Sequence, residues 1–199
     1  MVRNRALLID AATAAFAERG VDVSMGEIAQ RAGVAKGTVF RHFATKEDLL
    51  AAITLRLLDQ QISTANRLLD ADDAGEALRE FMTAGVEALA ADRAFCEVVG
   101  RPSLQSSEVR AAIHRLADTV EILTARAREQ GAIRADITGT DIVLLLGGIH
   151  QTAVPVLEAH PQAWRRYLDL AFDGLVATNA RTLPHPLPGR LDGALAAEG

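Results

Sequence analysis

The chain has 199 residues, 49% hydrophobic but only 4% aromatic, with a formal net charge of −5. That length supports one or two domains with cores of their own, and the acidic balance argues against a protein that coats nucleic acid indiscriminately. The apolar residues are mostly Ala, Leu, Val and Ile, which suits close helix packing and gives strands little support. No charge-free apolar run approaches the roughly 18 residues of a membrane-spanning helix, so no membrane partner is expected. The single cysteine, Cys96, excludes an intramolecular disulfide and fits a reducing cytoplasm.

The N-terminus, MVRNRALLIDAATAAF, has the basic-then-apolar order of a signal peptide. Asp10 interrupts it, and Leu8, Ile9, Ala12, Ala15 and Phe16 keep helical period, so an amphipathic helix from Ala6 to Arg19 is expected, ended by Gly20. Arg3 and Arg5 precede that helix. They either touch phosphates or a minor groove, or form a solvated terminus.

The stretch Ser24–Asp48 carries the densest local signals. Ser24 with Glu27 fits a capping box, and Val23 with Ile28 a hydrophobic staple. Ile28, Ala29 and Ala32 share one face of the short helix that follows, and Gly33 can take the left-handed conformation that stops it. A second short helix fits Lys36–Phe43, with Val39 and Phe43 on its buried side. Two short helices joined by a tight Gly-containing turn make a helix-turn-helix, whose second helix lies in the major groove of DNA. Val23, Ile28, Val34, Val39 and Phe43 would close its core.

The run AGVAKGTVFRHFATKEDLL resembles the DNA-binding motif of TetR-type transcriptional repressors. The resemblance extends back through the first helix and forward into Leu49–Leu58. It implies DNA contact by Ser24, Lys36, Gly37, Thr38, Phe40, Arg41, His42 and Lys46. Arg41 has the fork that reads guanine O6 and N7, while Thr38 and His42 can donate to phosphate. The residue matching Lys46 contacts the DNA backbone in the family. That would explain a cation in the first turn of a helix, where the dipole disfavours it. Two positions depart from the commoner pattern. Ala35 stands where a serine often caps the recognition helix, and Phe40 where a tyrosine often offers a phosphate hydroxyl. Phe40 then either packs or touches a thymine methyl.

Thr45 with Asp48 marks the next helix start, and that helix should run to about Leu69 as a connector. A turn follows at residues 70–75. Leu78, Phe81, Met82, Gly85, Val86 and Leu89 fall on one helix face. A short helix is expected from Arg93 to Val99, broken by Gly100, Arg101 and Pro102. Val109, Ile113, Leu116, Val120, Leu123 and Ala127 make a further stripe, stopped by Gly131. Asp136–Thr140 offers caps for a helix over 139–154, which Pro155 should kink or end. Pro161 is placed to open a last helix, 162–180, carrying Trp164, Tyr167, Leu168, Ala171, Phe172, Leu175 and Val176. A loose tail is expected from Thr182.

The fold class is therefore all-α, about nine helices. It has a DNA-binding domain over 1–46, an effector-binding and dimerisation domain over 47–181, and a tail over 182–199. Residues 1–50 carry seven Lys/Arg against six Asp/Glu, and residues 51–199 fourteen against twenty. The small basic excess thus lies with the helix-turn-helix. The resemblance implies a homodimer on double-stranded operator DNA, joined through the last two helices. Gly147 and Gly148 would allow close approach there, and Leu144, Ile149, Val156, Phe172 and Leu175 would supply apolar area. It also implies a small-molecule effector among the middle helices. Candidates are Phe81, Met82, Phe95, Cys96, Val99, Ile113, His114, Leu116, Val120, Leu146 and His150, each of which could instead be plain core. No cofactor, metal set or catalytic constellation is expected. The sequence holds no glycine-rich phosphate loop, HExxH or serine elbow. The alternative reading is a helical ligand-binding or enzymatic bundle, or a protein-binding adaptor, with an incidental helix-turn-helix.

Overall fold

The computed structural model describes residues 2–20, 22–91, 106–176 and 181–185. It contains eight helices there: α1 (Val2–Arg19), α2 (Met25–Arg31), α3 (Lys36–His42), α4 (Lys46–Leu68), α5 (Ala74–Ala91), α6 (Ser107–Glu129), α7 (Gly139–Leu157) and α8 (Ala163–Leu175). The helix expected at Arg93–Val99 lies outside the described residues. The chain divides into two compact units. One comprises Met1–Leu57 with Leu89–Arg110, the other Leu58–Ala88 with Ala111–Gly199. One division falls inside α4, so a single unbroken helix serves both units.

In the first unit α1 buries Leu8, Ile9, Ala12, Ala15 and Phe16, as its period requires. It ends at Gly20, whose φ is +74°. The helix starts at Val2 rather than Ala6, so Arg5 lies within it and not ahead of it. The α2 start is the expected capping box. The Ser24 hydroxyl accepts the Glu27 N–H at 3.3 Å, and the Ser24 N–H donates to the Glu27 carboxylate at 2.8 Å. At the other end of α2, Gly33 takes φ +67°, and the Val34 N–H returns to the Ala29 carbonyl at 3.0 Å. That is the Schellman closure, and it turns the chain into α3. Val23, Ile28, Val39 and Phe43 are buried, whereas Val34 is only half-buried. Thr45 and Asp48 exchange bonds at 2.9 and 3.1 Å and start α4.

In the second unit Trp164, Phe81, Leu78, Met82 and Leu123 are among the largest buried side chains. The stripe on α6 from Ile113 to Ala127 is buried as expected, and Val109 ahead of it is buried in the first unit. Helices α5 and α7 meet closely: a β-carbon added at Gly85 would lie 2.6 Å from Leu146. Likewise Gly139 has no room for a β-carbon beside the Ala117–Glu121 backbone of α6. Thr138 caps α7 reciprocally with Asp141. Helix α7 runs past Pro155 to Leu157. It is long and apolar enough to cross a membrane by length and composition alone, though Asp141 keeps it from being a charge-free run of that length. Ile142, Leu146, Ile149, His150 and Ala153 are nevertheless buried in the protein.

Helix α8 begins at Ala163, two residues after Pro161. Pro161 sits in a turn that the Ala163 N–H closes on the His160 carbonyl at 2.9 Å. The helix ends at Leu175, and Val176 instead bridges Ile133. The chain at 181–185 makes two hydrogen bonds to the segment between α6 and α7. Asp136 accepts the Leu183 N–H at 2.8 Å, and Arg134 donates to the Arg181 carbonyl. Arg134 in turn clasps Asp136 at 2.6 and 3.0 Å. This clasp and the Leu183 bond hold the Asp136 carboxyl well below its ordinary range.

Candidate nucleic-acid interface

Two groups of cations stand out in the first unit. Arg19, Arg31 and Arg56 are each paired with an acid: Arg19 with Glu27 at 2.7 Å, Arg31 with Glu18 at 2.5 Å, Arg56 with Asp10 at 2.5 Å. These pairs tie α2 and α4 onto α1. Lys36, Arg41 and Lys46 pair with no carboxylate among the described residues. They stand on α3 and on the first residue of α4. Arg5, from α1, lies with its guanidinium 5.2 Å from the centre of the Phe43 ring.

Helix α3 buries Val39 and leaves Lys36, Gly37, Phe40 and Arg41 exposed, with Thr38 and His42 half-buried. Phe40 is 45% exposed, with the Lys36 ammonium 5.9 Å from its ring centre. It is not core. A large apolar side chain on an exposed, cation-rich face is the kind of residue that reads a thymine methyl. Ala35 occupies the N-cap of α3 and offers no side-chain bond. The α3 start therefore has no side-chain cap, and the Thr38 N–H closes instead on the Ala35 carbonyl at 2.8 Å. A β-carbon at Gly37 would meet nothing within 4 Å. The surrounding protein thus does not require the glycine, and the open space suits close approach from outside.

Ser24 differs from the others. Its hydroxyl is engaged within the capping box, donating to Glu27 at 2.7 Å. Hydrogen bonds from Ser24 and then from Arg19 lower the Glu27 pKa from 4.5 to about 2. Lys46 is half-buried at the α4 start, beside Glu47 and Asp48.

Of the residues expected around an effector, Phe81, Met82, Ile113, Leu116, Val120, Leu146 and His150 are buried in the second unit, and His114 is half-buried. Burial pushes the His150 imidazole below its ordinary value. Phe95, Cys96 and Val99 lie outside the described residues. Of the expected dimer residues, Leu144, Val156 and Gly148 are exposed, but Ile149, Phe172 and Leu175 are spent inside the protomer. The sequence reading missed Leu170 and Val154, which are 58% and 42% exposed. Leu170 lies four residues after exposed Arg166 and three before exposed Asp173, a helical spacing that marks it as outward-facing.

A capped scaffold helix, a left-handed glycine turn and a second helix carrying unpaired cations define a helix-turn-helix DNA-binding protein. Residues 8–53 match the family described as bacterial regulatory proteins, tetR family, and residues 73–177 match the SbtR-like transcriptional regulator C-terminal domain. A solved TetR transcription regulatory protein from Mycobacterium vanbaalenii is 34% identical. The match covers 88% of this chain and 96% of that one, with a TM-score of 0.61. A TetR regulator from Streptomyces coelicolor is 28% identical over 87% of this chain and 99% of its own, with a TM-score of 0.65. An HTH-type transcriptional repressor of Mycobacterium tuberculosis is 43% identical over 68 residues, 34% of each chain. The chain belongs to the TetR family of bacterial transcriptional regulators.

Proposed function

We propose that the chain is a dimeric repressor that sets α3 of each protomer into successive major grooves of a near-palindromic operator and leaves it when a small molecule binds the second unit. The observation that carries this reading is the division of the cations. The scaffold arginines are neutralised by acids, while Lys36, Arg41 and Lys46 are left for phosphates and bases. In it Arg41 reads a guanine, Phe40 a thymine methyl, and Lys36, Thr38, His42 and Lys46 hold phosphates. Gly37 lets the backbone come close, and Ser24 positions the α2 start through its cap.

Exposed Leu144 and Gly148 on α7, and Leu170 and Gly174 on α8, support association through these two helices. Glycine weakens a helix by about 1 kcal/mol against alanine. Neither Gly148 nor Gly174 has any neighbour within 4 Å of a would-be β-carbon. A second copy gives both a reason. Effector release works by differential affinity for two states of the dimer. A typical coupling of about 1–3 kcal/mol shifts DNA affinity roughly 5–150-fold.

The test is fluorescence anisotropy of the purified protein on fragments of its own genome, at two salt concentrations. Tight binding to a few near-palindromic fragments and weak binding to random DNA is expected. Arg41→Ala should abolish the preference with folding intact. Equal, weak binding to every fragment by the wild type sinks the reading. Transcript levels beside the recovered operator should rise on deletion of the regulator; a fall would make it an activator.

A further inference from the structure

Four polar side chains are buried among the described residues: Thr54, Gln61, Thr124 and His150. Thr124 spends its hydroxyl on the Val120 carbonyl at 2.7 Å, and His150 has a partner. Thr83, Thr119 and Thr152 likewise bond back to the carbonyl four residues earlier. Thr54 and Gln61, both on α4, do not follow suit. Thr54 Oγ1 and Gln61 Oε1 are buried with no hydrogen-bond partner among the described residues. Burying a strong acceptor without a donor is costly, and native proteins rarely tolerate it without a reason.

Gln61 belongs to the second unit. On α4 it shares a face with Leu58, Ala65 and Leu68, all buried. Leucine in its place would complete an unbroken apolar stripe, so the amide is a departure from what packing alone asks. No Asp, Glu, Lys or Arg is buried among the described residues. A molecule lying against this face of α4 therefore meets apolar side chains and one unspent amide oxygen. An ionised ligand group would lose its hydration there without a counter-charge.

We propose that Gln61 is a recognition residue for the effector, and that the effector is a neutral, mainly apolar molecule bearing an O–H or N–H donor. This rests on the second unit's being the effector-binding unit. The donor of the ligand satisfies Gln61 Oε1. It does so on the helix whose N-terminus directly follows α3, so occupancy favours one placement of that helix.

The test compares two isomers on the full-length protein by calorimetry: n-octanol, which has a donor, and di-n-butyl ether, which has none. The wild type should bind n-octanol about tenfold more tightly, the size of one buried neutral hydrogen bond. Gln61→Met should bind both alike, keep the ether affinity of the wild type, and melt no lower. Equal binding of the isomers by the wild type overturns the proposal, as does tighter binding of the ether, no n-octanol binding, or a preference that survives in Gln61→Met. Should Gln61→Met not fold, Gln61→Leu replaces it, and the wild-type comparison alone still decides the donor. Anisotropy on genomic fragments, run on the same samples without alcohol, separates the two readings. Specific DNA binding with no isomer preference sinks only the Gln61 assignment. Loss of specific DNA binding sinks the regulator reading itself.

Discussion

Arg31 closes on both oxygens of Glu18, at 2.6 and 2.5 Å, and so clips the last turn of α2 to the end of α1. Glu18 is lowered and Arg31 raised in pKa, each chiefly by this hydrogen bond. Both side chains are more than a third exposed, so the solvent screens most of the attraction. Arg31→Ala should therefore shift the urea unfolding midpoint only slightly. Because Arg31 is occupied, its loss should weaken operator binding far less than Arg41→Ala does. Equal losses from the two variants would remove the distinction between scaffold and contact cations.

Glu27 gives the first unit a defined acid response. Its pKa is about 2 in the folded protein against 4.5 ordinarily. A lowered folded pKa means that the unfolded chain binds the proton first. The contribution is present above about 4.5 and is lost as pH falls towards 2. Melting temperature between about pH 5 and pH 2.5 should fall more steeply for the wild type than for Glu27→Gln, whose amide cannot titrate. Parallel slopes would place the acid response elsewhere.

The uncapped start of α3 is a second handle. Ala35 sits at the N-cap with φ −65° and ψ 142°, the extended geometry in which a serine hydroxyl would reach back to the helix. Ala35→Ser should stabilise the unit by about 1 kcal/mol, read as a higher urea midpoint.

Gly37 should show stability and binding moving in opposite directions. With open space around its would-be β-carbon, Gly37→Ala should gain up to about 1 kcal/mol in helix propensity. If the backbone of α3 approaches DNA here, the added methyl should also reduce operator affinity at least roughly tenfold, or 1.4 kcal/mol. A gain in stability with unchanged affinity would move the groove contact away from Gly37.

Gly139 is the reverse case. The β-carbon of Gly139→Ala would press on the backbone of Glu121, which cannot swing aside as a side chain can. It would also disturb the bond from the Gly139 N–H to the Glu121 carboxylate. A loss of about 2–3 kcal/mol is expected in chemical unfolding. A neutral result would mean that α6 and α7 separate at little cost.

The helix starts were legible where the signal is local. Ser24 with Glu27 and Thr45 with Asp48 are each three residues apart, so sequence spacing contains the whole interaction. The glycine turn at Gly33 was legible for the same reason. Pro155 does not end α7 at once, because a proline so near the helix end removes a single hydrogen bond, and two residues of helix follow it. Pro161 misled because its fixed φ suits a turn as well as a first helical residue. In the site, the residue types on α3 could be read from the sequence, but their availability could not. Arg31 finds Glu18 thirteen residues back and Arg56 finds Asp10 forty-six residues back. Only folding decides which cations are spent. The same holds for Ile149, Phe172 and Leu175, whose apolar character is equally suited to an interior or a partner.

Helix α4 has 23 residues without a break, which makes it a stiff rod about 34 Å long. A rod transmits tilt without absorbing it. Leaning it by about 5° carries one end roughly 3 Å sideways relative to the other. That travel is as long as the hydrogen bonds by which a side chain would hold a base edge. Switching off such contacts then needs no unfolding, hinge or loop rearrangement, only a small change of inclination in one continuous helix.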